Sequence, residues 1–449
     1  MDRARLRRLL ARESAEAQEL NPRSKAAYER ADHLFGRVPM TWMNKTAGAF
    51  PRYLAAARGA RVTDIDGHDY IDFCLGDTGA MAGHSPDAVA AAVQRRFTEL
   101  GGATAMLPTE DAEWVGAELT RRFGLTRWSF SLTATDANRW AIRLARAVTG
   151  RPKILVNSYS YHGSVDESLI VVGPDGRGAA RPGNVGAPCD VTLTSRVAEF
   201  NDLAGLEREL AHGDVAAVLM EPALTNIGIV LPEPGYLEGV RELTRRYGTL
   251  LINDETHTFS AGPGGCTAAW GLEPDMLTIG KAIGGGVPAG AYGLSAELAE
   301  QLLGRADLDL VDMGGVGGTL AGNALSVAAT RATLEHVLTD QAFAAMDELS
   351  RRFEAGVRAG IERWNLPWSV SRLGARSEYR FAYPAPRTGT ESAAASDTDL
   401  EDYLHLYMAN RGLLLTPFHN MALMCPATTD KDVDTHTEVF GAALSELFG

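Results

Sequence analysis

Four short apolar runs in the chain are each followed by residues that can do chemistry. KILVN (153–157) leads to Tyr161, His162 and Gly163; AAVLM (216–220) leads to Glu221-Pro222; TLLIN (249–253) leads to Asp254-Glu255; MLTIG (276–280) leads to Lys281, then Gly284, Gly285 and Gly286. A lysine in a partly desolvated cleft loses its proton more readily and attacks carbonyl groups as a free amine. Glycines beside it let the backbone come close to a ligand. A carboxylate such as Asp254, set against a pyridine nitrogen, keeps that nitrogen protonated. A protonated pyridine is an electron sink for the carbon next to an imine, which is the chemistry of pyridoxal 5′-phosphate (PLP). Tyr161 can stack on a flat heteroaromatic ring, and His162 is placed to orient water or substrate or to fill the pocket wall. Residues 131–138, SLTATDAN, precede a helix with the apolar face Ala137, Trp140, Ala141, Leu144, Ala145 and Val148. Thr133 or Thr135 caps it, and the exposed N–H groups of its first turn suit an anion such as a phosphate.

The elements that must position these groups follow from the pattern between them. From about residue 75 to 330, apolar runs alternate with amphipathic stretches such as 135–148 and 236–246. This predicts an α/β fold with a mainly parallel sheet covered by helices on both faces. In such a sheet the ligand lies outside the C-terminal ends of the strands, where the groups above occur. Residues 1–35 are expected to be helical, and 61–73 to form a hairpin turning at Asp66-Gly67. Residues 384–398 are low in complexity and are expected as an exposed loop, while EYRFAY (378–383) is expected as a strand. The expected division is 1–74, contributing to a small domain; 75–330, the large cofactor-binding domain; and 331–449, the rest of the small α+β domain.

Composition excludes several functions. With 43 Lys plus Arg against 57 Asp plus Glu, the net charge of −14 argues against nucleic acid as principal partner. No apolar run reaches the roughly 18 residues needed to span a bilayer, so no membrane partner is expected. Cys74, Cys189, Cys266 and Cys425 form no CxxC pair and have no His at zinc spacing. They are expected as buried or partly buried thiols in a reducing cytoplasm, with no metal. The arginine-rich start, with Leu6, Leu9 and Leu10 on one helical face, lacks an apolar core of the targeting kind and is expected as a surface helix. No GxGxxG opens a helix after the first strand, which removes a nicotinamide dehydrogenase.

The segments TATDAN (133–138), YHG (161–163), EP (221–222), NDE (253–255), IGKAIGGGVPAGAYG (279–293) and GTLAGNAL (318–325) together resemble the class III aminotransferases of PLP fold type I. The branch holding glutamate-1-semialdehyde aminomutases and β-amino-acid aminotransferases looks nearest, over roughly residues 40–445. The resemblance implies that Lys281 condenses with the PLP aldehyde as a Schiff base and then shuttles the substrate proton, while Asp254 bonds the pyridine nitrogen. Tyr161 would stack on one ring face and Thr256 pack on the other. Thr133, Ala134 and Thr135 would hold the phosphate, with Thr319 reaching it from the neighbouring subunit of a homodimer whose sites lie at the interface. Glu221 matches a buried acidic position near the cofactor, and His162 is counted among the cofactor-binding residues. Two departures stand out. The phosphate loop has Ala134 where glycine is usual. By an ungapped count, Trp42 stands near the position of the arginine that grips the substrate carboxylate in the aminomutase.

Amino transfer between an amino acid and a keto acid needs a carboxylate clamp, normally a bidentate arginine. Arg376 is the first candidate and Arg380 the second; His419 could bond the same carboxylate, and Trp42 with Met43 and FHNM (418–421) would give an apolar pocket wall. The expected function is a PLP-dependent transaminase acting by a ping-pong cycle on an amino acid or amine, a β-amino acid or arylalkyl amine among them, and a keto acid. The alternative is an aminomutase or amino-acid epimerase on the same scaffold. A non-catalytic binding protein is disfavoured by the intact Lys281 and Asp254.

Overall fold

The computed structural model describes residues 1–186 and 189–449. They divide into two units, one of residues 1–86, 344–385 and 395–449, the other of 87–343 with 386–394. Both ends of the chain belong to the first unit.

The second unit is built on a seven-stranded sheet. Its strands in chain order are β1 (Arg127–Ser131), β2 (Lys153–Asn157), β3 (Ser195–Ala198), β4 (Val215–Met220), β5 (Leu250–Asp254), β6 (Met276–Ile279) and β7 (Gly290–Leu294). They lie in the order β1-β7-β6-β5-β4-β2-β3. Only β7 runs against its neighbours β6 and β1; the others are parallel. The unbroken apolar runs of the sequence have a direct cause. Ile154 and Val156 of β2, with Ala217 and Leu219 of β4, enter a core shared with helix α1 (Ala134–Thr149). Leu155, Val218 and Met220 point the other way, into a core with α2 (Leu203–Leu210) and α3 (Tyr236–Arg246). A strand covered on both faces has no solvent side on which polar residues could alternate.

The segment expected as an exposed loop is largely exposed but is anchored and partly helical. Residues 386–394 return to the second unit and contain a short helix, Gly389–Ala394. Asn201 Nδ2 donates to the Arg387 carbonyl at 2.8 Å, and Ser392 Oγ donates to the Ile227 carbonyl. Gly389 allows this close seating: a Cβ there would lie 2.1 Å from the Ser158 carbonyl oxygen. Gly389→Ala should therefore cost about 1–3 kcal/mol of stability, measured as a lower thermal midpoint; an unchanged midpoint would show that the backbone of this segment gives way freely.

In the first unit, the hairpin appears as strands Arg61–Asp64 and Asp69–Asp72, in a four-stranded sheet with Leu54–Arg58 and Leu413–Leu414. A three-stranded antiparallel sheet joins Ser369–Leu373, Arg376–Arg380 and Met421–Leu423. The strand expected at 378–383 thus lies at 376–380. The expected boundaries at 74 and 330 fall instead at 86 and 343. Residues 75–86 stay with the hairpin because Gly59 and His84 exchange a pair of backbone hydrogen bonds, both 2.8 Å, and Leu75, Met81 and Ala82 are buried. Of the cysteines, Cys266 and Cys425 are buried but Cys189 is exposed, a correction to the expectation of covered thiols. Among the described residues no helix is long and apolar enough to cross a membrane.

Candidate active site

Asp254 is the last residue of β5 and is buried. Its Oδ2 accepts from Asn138 Nδ2 and pairs with His162 Nδ1, both at 2.9 Å, while its Oδ1 accepts from the Thr256 amide at 3.1 Å. Burial pulls the carboxyl upward, but the hydrogen bonds and charge of His162, with the bond from Asn138, outweigh it and hold Asp254 below the usual carboxylate range. Asn138 gathers these elements. It sits in the second turn of α1, is fully buried, donates also to the His162 carbonyl at 3.1 Å, and accepts from Thr278 Oγ1 of β6 at 2.7 Å. The neighbouring Glu255 is spent on structure: it accepts from Thr258 Oγ1 and from the Cys266 and Thr267 amides.

Lys281 follows β6 and sits in the left-handed region at φ 50°, an uncommon conformation for a residue with a side chain. Its Nζ is hydrogen-bonded to His257 Nε2. His257 Nδ1 pairs with Thr225 Oγ1 at 2.7 Å, and Thr225 Oγ1 donates in turn to Glu221 Oε2. Glu221 also accepts from the Thr225 and Tyr161 amides, each at 3.1 Å. Burial pushes the Glu221 carboxyl up, and the charge of His162 and the bonds from Thr225 and Tyr161 do not cancel it. The residues after β2, β4, β5 and β6 therefore meet at one edge of the sheet. His257 and Thr225 were not legible as part of this edge, since both stand inside loops whose path the apolar runs do not fix.

The start of α1 is also defined. Thr133 caps α1 by accepting from the Asp136 amide at 3.2 Å, and Gly150 closes its other end in the left-handed region. Ala134 is the first residue of the helix, so the freedom of a glycine is not needed there. A Cβ on Gly280 would lie 2.8 Å from the Ala134 nitrogen, so the backbone just before Lys281 touches the start of the helix. Beside Gly163, a Cβ would fall 2.0 Å from Thr135 Oγ1.

These residues fit a planar phosphorylated pyridine. The buried His162 Nε2 has no hydrogen-bond partner among the described residues. An ionised carboxylate offers about four acceptor positions; three donors reach Asp254, which leaves room for a ring N–H. The first-turn N–H groups of α1 and its dipole suit a phosphate. An amine stands at Lys281. Half-buried Tyr161 and buried Thr256 belong to the same group of loops.

The remaining candidates stand on other segments of the chain. Thr319 is exposed. Trp42, Arg376, Arg380 and His419 belong to the first unit. Trp42 is half exposed and meets Phe418 edge-on with centroids 6.4 Å apart. Arg376 is fully buried and donates to Thr78 Oγ1. Arg380 Nη2 donates to Ser396 Oγ at 3.0 Å, and His419 Nδ1 pairs with Glu378 Oε1 at 3.2 Å. Arg376, Glu378 and Arg380 share one face of their strand. Ser377 and Tyr379 on the other face meet Ser350 and Phe440.

Comparison with known proteins gives the same picture of the whole chain. Residues 42–444 match the family model for aminotransferase class-III. A glutamate-1-semialdehyde 2,1-aminomutase 2 of Exiguobacterium sibiricum is 34% identical over 434 residues, covering 95% of this chain and 97% of its own. The crystal structure of a glutamate-1-semialdehyde-aminomutase from Pseudomonas aeruginosa PAO1 is similar with a TM-score of 0.96 and 49% identity, covering 100% of this chain and 99% of its own; a lysine-to-alanine variant of it has been crystallised with PMP. A β-phenylalanine aminotransferase from Variovorax paradoxus is similar with a TM-score of 0.86 and 26% identity, over 97% of each chain.

Proposed function

The chain belongs to the class III aminotransferase family, and from that premise we propose that it moves an amino group between two carbons of one substrate, the aminomutase reaction. Its cofactor is pyridoxal 5′-phosphate. The observation that carries the proposal is the 49% identity, over the full length, to a protein described as a glutamate-1-semialdehyde-aminomutase. Glutamate 1-semialdehyde is accordingly the first substrate to try. External transamination is the second reading, because Trp42 stands near the place of the carboxylate-gripping arginine.

Bound PLP supplies an aldehyde that condenses with amines and a ring that draws electrons from the adjoining carbon. The chain's own residues do the rest. Asp254 keeps a proton on the ring nitrogen, and His162 and Asn138 keep Asp254 ionised and aimed. Lys281 Nζ is the amine that holds the cofactor and then carries the proton removed from the substrate carbon. Thr133, Ala134 and Thr135 bind the phosphate at the start of α1. Tyr161 and Thr256 flank the ring. Thr319 is assigned to the phosphate of a second copy, in a homodimer. Arg376, Arg380, His419 and Trp42 are assigned to the substrate side, the arginines to its carboxylate.

The test is an incubation of loaded enzyme with glutamate 1-semialdehyde and no keto acid. Formation of the isomer in which the amino and carbonyl groups have changed places is the expected outcome. Strict dependence on added pyruvate or 2-oxoglutarate, with alanine or glutamate formed, would establish transamination instead.

A further inference from the structure

The hydrogen bonds that end on Lys281 run in one direction. Glu221 Oε2 accepts from the Thr225 hydroxyl, and its two oxygens also accept the amides of Thr225 and Tyr161. With Glu221 ionised, all three groups donate to it, so the hydroxyl proton of Thr225 is committed to the carboxylate. Thr225 Oγ1 is then free only to accept from His257 Nδ1, at 2.7 Å. That fixes the tautomer: the proton is on Nδ1, and the lone pair of Nε2 faces Lys281 Nζ. The network thus delivers a proton acceptor, not a donor, to the amine.

We propose that Glu221, Thr225 and His257 form a relay that takes the proton from Lys281 Nζ and so readies the amine for condensation. The proposal rests on the reading of Lys281 as the cofactor-bearing lysine. In the step, Lys281 in its ammonium form gives one proton to His257 Nε2, leaving a neutral amine and an imidazolium. No other bond changes, and nothing is oxidised or reduced. The imidazolium is stabilised through Thr225 by the carboxylate of Glu221. His257 touches the reacting nitrogen; Thr225 and Glu221 act through it as positioning residues.

Other charged groups face the relay and are the same in every variant tested. Asp254 and His162 act on Glu221 from β5 and from the loop after β2. Arg181 faces Glu221 as well, its Nη1 held by the Ser160 carbonyl at 3.0 Å, with Tyr159 and Tyr161 beside it. Glu255, next to Asp254, accepts bonds from Thr258, Cys266 and Thr267.

The experiment measures the rate at which full-length protein, stripped of cofactor, takes up pyridoxal 5′-phosphate as a function of pH. The rate follows the fraction of Lys281 present as free amine. Thr225→Val should raise the midpoint of this profile by about one pH unit, because the imidazolium is no longer stabilised and the ammonium form persists to higher pH. Glu221→Gln also removes a negative charge that favours the ammonium, so it should raise the midpoint less than Thr225→Val. Thr225→Ser, which keeps the hydroxyl, should leave the midpoint in place. The Thr225→Val/Glu221→Gln double variant should shift no further than Thr225→Val, since both cut the same series of bonds. His257→Gln can still bond Lys281 but cannot take a proton, and should shift with the others; a wild-type profile there would mean a merely structural role. Uptake at Lys281 with superimposable profiles for wild type and Thr225→Val overturns the relay alone. No uptake at Lys281 by the wild type overturns the reading of the site and the relay with it.

Discussion

Lys281→Ala is expected to lower turnover by at least about 10⁴-fold, the upper range for loss of one acid–base group, while the chain stays folded. Two proposed functions vanish with the side chain: the amine that holds the cofactor and the base beside the reacting carbon. The fold should survive because the Lys281 amine bonds a loop histidine and is no part of either apolar core of the second unit. Borohydride reduction of the loaded wild type, then digestion and mass mapping, should place the cofactor on the peptide bearing Lys281. An adduct at another lysine, or a variant with near-normal turnover, would refute the assignment.

Asp254→Asn is expected to cost about 10²–10⁴ in turnover with the cofactor still attached at Lys281. A loss of that size corresponds to about 3–5 kcal/mol of activation free energy. The change is nearly isosteric, but it cannot be neutral. Asn138 Nδ2 and His162 both reach Oδ2, and the Thr256 amide reaches Oδ1. An asparagine must turn its own NH₂ toward one of these sides, setting donor against donor. Turnover within a few-fold of wild type, measured with cofactor content and absorbance in parallel, would show that the ring nitrogen does not depend on Asp254.

Much of the site was readable before folding because of one rule: residues just beyond continuous apolar runs sit at strand ends. That placed Asp254, Glu221, Lys281 and the Tyr161–His162 pair. Thr133 was readable as a cap because its hydroxyl precedes an amphipathic helix. What could not be read depends on loops and on long-range packing. His257 lies three residues past Asp254 and was visible as a histidine in NDETHT, but only the turn that follows β5 brings it to Lys281. Thr225 has no pattern of its own; it matters because Glu221, four residues earlier, is buried beside it. Asn138 was seen as part of TATDAN, but its bonds to Asp254, His162 and Thr278 join segments far apart in sequence. Arg376 and Arg380 look like open clamps in a polar string, yet alternation with Ser377 and Tyr379 puts them in a buried strand. Likewise, small polar residues at 384–398 suggested a solvated loop, whereas Gly389 uses its lack of a side chain to press against Ser158.

The left-handed backbone at Lys281 sets robustness and chemistry against each other at one residue. A non-glycine residue held there is strained by about 1–3 kcal/mol, a load the surrounding sheet must carry for as long as a side-chain amine is required. Glycine would release it, and with it the nucleophile. Selection for heat tolerance alone would therefore favour losing the very residue that selection for catalysis must retain, and any hardening of this enzyme has to come from other parts of the chain.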